Sequence, residues 1–250
     1  MVDRQATGLV AAFHFCPTER SRINLLNENK TEQNIYVTGN TVIDSLHWVL
    51  HKIENETQTR RLLDEKLHKT INFNLHHQRI VLITGHRREN FGAGFRNICE
   101  GIKTTAQRNP DVHFVYPVHL NPNVLQPVNE ILSELNNVHL IEPLEYLPFV
   151  YLLKHCYLVL TDSGGIHEEA PSLGKPVLVM RQVTERPEAV DAGTVKLVGS
   201  SRDAIAESIQ QLLDDKKLYD RMSNAHNPYG DGQACSRIVA ILREALDCAQ

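Results

Sequence analysis

The sequence predicts an α/β protein whose main domain is a Rossmann-like parallel sheet, and three observations carry that prediction. Short β-rich runs alternate with longer helical ones along most of the chain, the order that parallel strand–helix–strand units require. The strand candidates are nearly continuous apolar runs without a polar face, as strands covered by helices on both sides must be. The composition, 42% hydrophobic and 22% charged over 250 residues, is that of an ordinary globular protein and excludes disorder, collagen and coiled coil as whole-chain descriptions.

The expected strands are Arg79 to Thr84, Val112 to Tyr116, Val138 to Ile141, Tyr157 to Thr161, Pro176 to Met180 and Thr194 to Val198. Helices are expected between them, near Phe95 to Arg108, Val124 to Glu134, Leu147 to His155, Gly165 to Leu173 and Arg202 to Leu213. Right-handed crossovers wind such units into one layered structure. The first seventy residues read differently. Pro17-Thr18-Glu19 opens a helix to about Asn29, Asn34 to Val37 forms a short strand, and the turn Gly39-Asn40 leads into a helix from Thr41 to about Ile53. The polar, histidine-bearing stretch Glu54 to Gln78 reads as a surface helix plus a connection, and it marks the domain boundary. Two last helices, Lys216 to Ala225 and Ala234 to Ala249, are parted by the glycines and proline of 227–232. The chain divides accordingly into 1–53, 54–225 and 226–250. At roughly 150 residues per domain, its length is that of one large domain or one domain plus part of another.

A net charge of −4 gives no basic excess that would point to nucleic acid, so any anionic ligand must be held locally. Cys16, Cys99, Cys156, Cys235 and Cys248 are far apart and form no C-x-x-C pair, which argues against a zinc ribbon or a dithiol redox site and for reduced thiols. The apolar stretch Ala6 to Phe15 is too short for a membrane span, and no cleavage pattern follows it. A cytoplasmic protein with no membrane partner is expected.

In a parallel sheet, ligands bind outside the carboxyl ends of the strands. Two turns there stand out. Asp162-Ser163-Gly164-Gly165 passes into a helix, where small residues let backbone N–H groups approach a phosphate, and Glu168 and Glu169 follow in the first turn. A glycine turn serves geometry as often as ligand binding, and acids near a helix start also favour its dipole. A carboxylate there is nonetheless well placed for a ribose diol. The other turn, Gly85-His86-Arg87-Arg88-Glu89, sets an imidazole and two guanidiniums at a strand end, groups suited to proton exchange and to gripping diphosphate; a solvated loop with Arg88 and Glu89 paired is the alternative, and the position after a strand favours function. His119, in Tyr116-Pro117-Val118-His119, is placed to line the same cleft or to sit in a rigid proline loop. The aromatic residues of 142–149 suit either base stacking or packing on the sheet. Arg186, in Thr184-Glu185-Arg186-Pro187-Glu188, reads as an anion contact or a surface ion pair.

Taken together, Thr84 to Glu89, Tyr116 to Asn123, Asp162 to Gly165 with Glu168 to Pro171, Thr184 to Glu188, Asn227 to Ser236 and Val37 to Asp44 closely resemble the non-hydrolysing bacterial UDP-N-acetylglucosamine 2-epimerases. The resemblance implies one half of a glycosyltransferase-B-type architecture of two Rossmann-like domains with the active site in the cleft. It implies interconversion of UDP-N-acetylglucosamine and UDP-N-acetylmannosamine for surface polysaccharide synthesis, through elimination of UDP to a 2-acetamidoglucal and its re-addition, with no metal or redox cofactor. Carried over residue by residue, His86 resembles the active-site histidine, and Ser163, Gly164 and Gly165 the cradle of the UDP phosphates. Glu169 matches the ribose-binding carboxylate, Phe149 a uracil contact and Arg186 a further substrate contact. Leu144 departs from the glutamine that relatives can carry near the base.

The larger departure is at the start. The resemblance implies an N-terminal Rossmann domain with a phosphate-contacting arginine, and an aspartate and glutamates that handle proton transfer at C2. It begins here almost where the last of those acids would stand, so residues 1–53 match only the end of that domain and the interdomain segment, and 226–250 the closing interdomain helix. The 250 residues alone are therefore expected to keep partial UDP affinity with little or no epimerase activity. A homodimer or a separately encoded N-terminal half are the partners to be considered, beside UDP and the two UDP-sugars. The alternatives are a non-catalytic UDP-sugar-binding remnant and another enzyme of the same fold, a glycosyltransferase or a hydrolysing epimerase.

Overall fold

The computed structural model describes residues 2–247. Two compact units are present, one made of Met1–Trp48 with Asn227–Gln250 and the other of Val49–His226.

The first unit opens with helix α1 (Val2–Val10), followed by β1 (His14–Cys16), α2 (Glu19–Asn27), β2 (Ile35–Val37) and the start of α3 (Thr41–Asn55). β1 and β2 pair in parallel, His14 opposite Ile35 and Cys16 opposite Val37. Thr18 starts α2 as expected, its hydroxyl oxygen accepting the Ser21 N–H at 3.2 Å. Neither α1 nor β1 is among the expected elements. The apolar run Ala6 to Phe15 covers a helix end, a turn and part of a three-residue strand, so it shows no single period.

The second unit carries α4 (Thr57–Ile71), β3 (Arg79–Thr84), α5 (Ala93–Arg108), β4 (Val112–Pro117), α6 (Pro122–Leu132), β5 (Val138–Ile141) and α7 (Tyr146–His155). It continues through β6 (Leu158–Thr161), α8 (Ile166–Ser172), β7 (Val177–Val179), the short α9 (Pro187–Asp191), β8 (Val195–Leu197), α10 (Arg202–Asp214) and α11 (Lys216–Ser223). The last helix, α12 (Ala234–Asp247), belongs to the first unit; Cys248 and Ala249, where that helix was expected to continue, lie outside the described residues. There Asp44 of α3 accepts the N–H groups of Ala234 and Cys235 at 3.1 and 2.8 Å, satisfying donors that a helix start leaves open.

β3 to β8 form one parallel sheet in the order β5-β4-β3-β6-β7-β8. Counted from β3 this is the Rossmann order 3-2-1-4-5-6, and the winding reverses between β3 and β6. Ile80 to Ile83 of β3 and Leu158 to Leu160 of β6 are fully buried, so each strand presents apolar side chains to both faces. On one face Val81, Ile83, Phe114 and Leu160 pack with α5, α6 and α10 through Phe95, Val128 and Ile209. On the other face α7 lies against β3 and α4 against β5. Leu63, Leu67 and Ile71 of α4 are buried at a four-residue spacing, so the stretch expected to be a surface helix also helps to cover the sheet. At Gly101 α5 comes close to α10: a Cβ there would lie 2.8 Å from the Arg202 carbonyl oxygen and 3.1 Å from Ile205. Among the described residues, no helix is long and apolar enough to cross a membrane.

Candidate functional site

The two turns singled out in the sequence follow β3 and β6, the neighbouring strands at which the winding reverses. Thr84 and Thr161 end these strands in register, their hydroxyls 2.6 Å apart. Beyond them the chains separate into the His86 loop and the Ser163–Gly165 turn, which opens the crevice that doubly wound sheets use for ligands.

The His86 loop is held from three sides. The buried Asp162 carboxylate accepts the His86 N–H at 3.0 and 3.2 Å, the Arg87 N–H at 2.8 Å and the Asn90 side-chain amide at 3.4 Å. From β4 the Tyr116 hydroxyl donates to the Gly85 carbonyl at 2.7 Å, and from the end of β7 the Met180 carbonyl accepts the Asn90 amide at 3.2 Å. The His86 ring itself is exposed and stacks on His119, centroids 5.1 Å apart and planes 12° from parallel. His119 Nδ1 accepts the Asn121 N–H at 3.1 Å.

Arg186 joins this cluster from the loop after β7. Its guanidinium lies against Gly164 so closely that a Cβ on that glycine would come within 2.9 Å of Cζ. Only a residue without a side chain allows the contact. The same guanidinium donates to Glu168 at 2.5 Å and to Glu185 at 2.8 Å, so the ion pair considered for Arg186 is formed, in addition to its place over the turn. Glu185 also receives Arg181 at 2.6 Å and lies 3.5 Å from Arg87. Burial raises the Glu185 carboxyl, but its own backbone N–H and the Arg181 and Arg186 guanidiniums outweigh that and hold it at about 2. Three guanidiniums thus gather around Glu185, and one of them, Arg186, lies over the glycine turn, where a cation suits an anion with several oxygens.

Glu169 is buried, and burial pushes its carboxyl up against the lowering effect of the Tyr146 hydrogen bond. The Tyr146 hydroxyl donates to Oε1 at 2.5 Å, while Oε2 faces the turn, 3.9 Å from where a Cβ on Gly165 would stand. Phe149 is half-buried one turn further along α7, on the side of the helix that carries Tyr146. His167 is fully buried, and neither ring nitrogen has a hydrogen-bond partner among the described residues. Burial, with Arg186 close by, lowers its pKa to about 4, so the ring is neutral.

His86, Ser163, Gly164, Gly165, Glu169 and Arg186 therefore share one end of the sheet, with Phe149 on the helix that Glu169 contacts through Tyr146. Asp162 and Tyr146 fall in segments that the sequence singles out, but neither they nor Asn90 and His167 are given these roles by it. For Asp162 a signal exists, a carboxylate directly after a strand that reads as buried on both faces, where a charge needs partners; for the others no local pattern distinguishes them.

A family model described as UDP-N-acetylglucosamine 2-epimerase matches residues 2–243. The UDP-N-acetylglucosamine 2-epimerases of Yersinia pestis and Escherichia coli K12 are each 55% identical over 241 residues, which is 96% of this chain and 63% of theirs. The crystal structure of UDP-GlcNAc 2-epimerase from Neisseria meningitidis bound to UDP-GlcNAc is similar with a TM-score of 0.90 at 48% identity, covering 97% of this chain and 64% of that one. The chain spans a little under two thirds of the length of these relatives.

Proposed function

This chain belongs to the UDP-N-acetylglucosamine 2-epimerase family, and from that premise we propose that Val49–His226 holds the UDP half of a site that interconverts UDP-N-acetylglucosamine and UDP-N-acetylmannosamine for surface polysaccharide synthesis. The observation that carries the proposal is the meeting of the His86 loop, the Ser163–Gly165 turn and Arg186 where the sheet reverses its winding. In this reading the N–H groups of the turn and Arg186 hold the diphosphate, and Glu169 takes the ribose hydroxyls through Oε2. Phe149 lies beside the uracil, and His86 stands at the leaving phosphate or the sugar. Residues 54–225 are the UDP-binding domain, while 1–53 and 226–250 go with the interdomain region. Cytoplasmic residence belongs to the same reading.

The chemistry follows from charge placement. In the elimination a base removes the C2 proton, its electron pair forms the C1–C2 double bond of a 2-acetamidoglucal, and the C1–O bond breaks with its pair leaving on the β-phosphate of UDP. Negative charge grows on that phosphate, and fixed guanidinium and N–H dipoles beside it stabilise the transition state. Re-addition reverses these steps with the proton delivered to the other face of C2.

A base for C2 must lie within hydrogen-bond reach of that proton. The carboxylates at the described site are engaged otherwise: Asp162 with the His86 loop, Glu168 with Arg186, Glu169 with Tyr146, and Glu185 with Arg181 and Arg186. Proton transfer is therefore assigned to a second Rossmann half, carried on the same or a separate polypeptide, with a homodimer as the other arrangement. The β1–β2 pair supports this, because two parallel strands alone make no stable sheet, and Leu9 and Val10 at the end of α1 are 80% and 85% exposed. The 250-residue polypeptide by itself then binds UDP with little turnover. A UDP-sugar-binding protein without catalysis is the second reading, favoured by the same engaged carboxylates. Calorimetric titration tests what the two share: UDP and UDP-N-acetylglucosamine each bind with 1:1 stoichiometry and compete, and failure of both to bind would overturn the assignment.

A further inference from the structure

We propose that Asp162 is a positioning residue that couples occupation of the Ser163–Gly165 turn to the placement of His86. The inference rests on the reading of that turn as the diphosphate cradle.

Asp162 stands one peptide before the cradle and is fully buried. A carboxylate out of water is tolerated only when N–H donors take its lone pairs. Here the donors come from the His86 loop: the His86 and Arg87 backbone N–H groups and the Asn90 amide. The attachment is two-sided, because the Asp162 N–H itself donates to the Thr84 carbonyl at 3.1 Å. The backbone of Asp162 is thus fixed on the last residue of β3, and its side chain reaches past that residue to hold the next loop.

On the cradle side the Ser163 N–H donates to the Thr161 hydroxyl at 2.9 Å, and that hydroxyl bonds the Thr84 hydroxyl at 2.6 Å. An anion that draws the N–H groups of Ser163 to Gly165 toward itself turns the peptide joined to Asp162. The carboxylate then moves with it, and the His86 and Arg87 amides follow, since a charge buried from solvent has no other donors to exchange them for. His86 is placed in register with a bound diphosphate by a residue that touches neither the ligand nor the imidazole. Asparagine weakens this: the three donors converge on Oδ2, which an amide oxygen can take, but the amide nitrogen in the Oδ1 place would face the His86 N–H, 3.2 Å away and itself a donor, and the charge that strengthens all three bonds is lost.

The test is NMR titration of the isotope-labelled 250-residue chain with UDP, comparing wild type with Asp162→Asn. In wild type the His86 ring resonances, assigned by their loss in His86→Gln, shift on UDP binding, and hydrogen exchange at the His86 and Arg87 amides slows by about tenfold. In Asp162→Asn the His86 shift falls below about a third of its wild-type size at UDP saturation. A purely structural role for Asp162 would lower thermal stability while leaving the His86 response intact, and that result would overturn the proposal. Absence of any UDP response in wild type would instead overturn the cradle assignment, and the proposal with it. If Asp162→Asn does not fold, wild-type exchange decides: the His86 and Arg87 amides must slow with UDP while those of α5 do not, and equal behaviour would refute the coupling.

Discussion

A methyl group at Gly164 would have to enter space that the Arg186 guanidinium holds, with Cζ 2.9 Å and Nη2 3.3 Å from the new carbon. The obstacle is the far end of a flexible side chain, so Gly164→Ala is expected to displace Arg186 and leave the fold standing, with little change in Tm. Displacement separates Arg186 from Glu168, 2.5 Å away, and takes a cation off the turn proposed to hold diphosphate. A hydrogen bond to a charged group contributes about 1.5–3 kcal/mol. The Arg186 side chain is 27% exposed, so solvent screening favours the lower end, and the Kd for UDP should rise about tenfold. Arg186→Ala should weaken UDP to a similar degree. Because both changes act through one guanidinium, Gly164→Ala added to Arg186→Ala should have almost no further effect, a coupling that a double-mutant cycle measures. Calorimetry on the four proteins, with thermal denaturation as the control for folding, gives the result. UDP affinity unchanged in Gly164→Ala, or losses that add in the double variant, would refute the placement of Arg186 over the cradle.

Three further outcomes follow from the same geometry. The fold favours a neutral His167, with a pKa of about 4 against roughly 6.5 when unfolded, so the unfolded chain takes up the proton first and stability falls as pH drops from about 6.5 through about 4. This ring accounts for about 3 kcal/mol of that loss; His167→Gln should flatten the pH dependence of urea unfolding over this window, and an unaltered slope would contradict the buried neutral ring. Tyr146→Phe removes the donor that orients Glu169, so affinity for UDP and for uridine should fall by a similar few-fold factor while affinity for pyrophosphate stays the same in calorimetry. Gly101→Ala forces a methyl against the Arg202 carbonyl and Ile205, an overpacking expected to lower stability by about 1–3 kcal/mol in urea unfolding, where a change under about 0.5 kcal/mol would show that α5 and α10 yield freely.

What was legible in the sequence was legible for physical reasons. β3 and β6 announce themselves because strands buried on both faces must be apolar throughout, and RIVLIT and LVLT leave little alternative. Ligands bind just past the carboxyl ends of such strands, which points to His86, the Ser163–Gly165 turn and Glu169. Strand order was not legible: β3 and β6 lie side by side through pairing across more than seventy residues, which no local pattern encodes. For the same reason the sequence points to Asp162 only as part of a motif, since its partners are backbone N–H groups 75 and 76 residues away. Tyr146 and Glu169 meet across 23 residues for reasons of helix placement alone. The buried stripe of α4 was masked by its many charged neighbours, and β1 is too short to show a period.

The central claim is that these residues hold UDP but leave the C2 proton to groups elsewhere. Proton-to-deuterium exchange at C2 of UDP-N-acetylglucosamine, followed by NMR in deuterium oxide with the purified 250-residue chain, tests it most directly. Exchange should stay at background although UDP competes for the bound sugar nucleotide, and should appear when a Rossmann half bearing the acidic groups is supplied. Rapid exchange by the 250 residues alone would contradict the account.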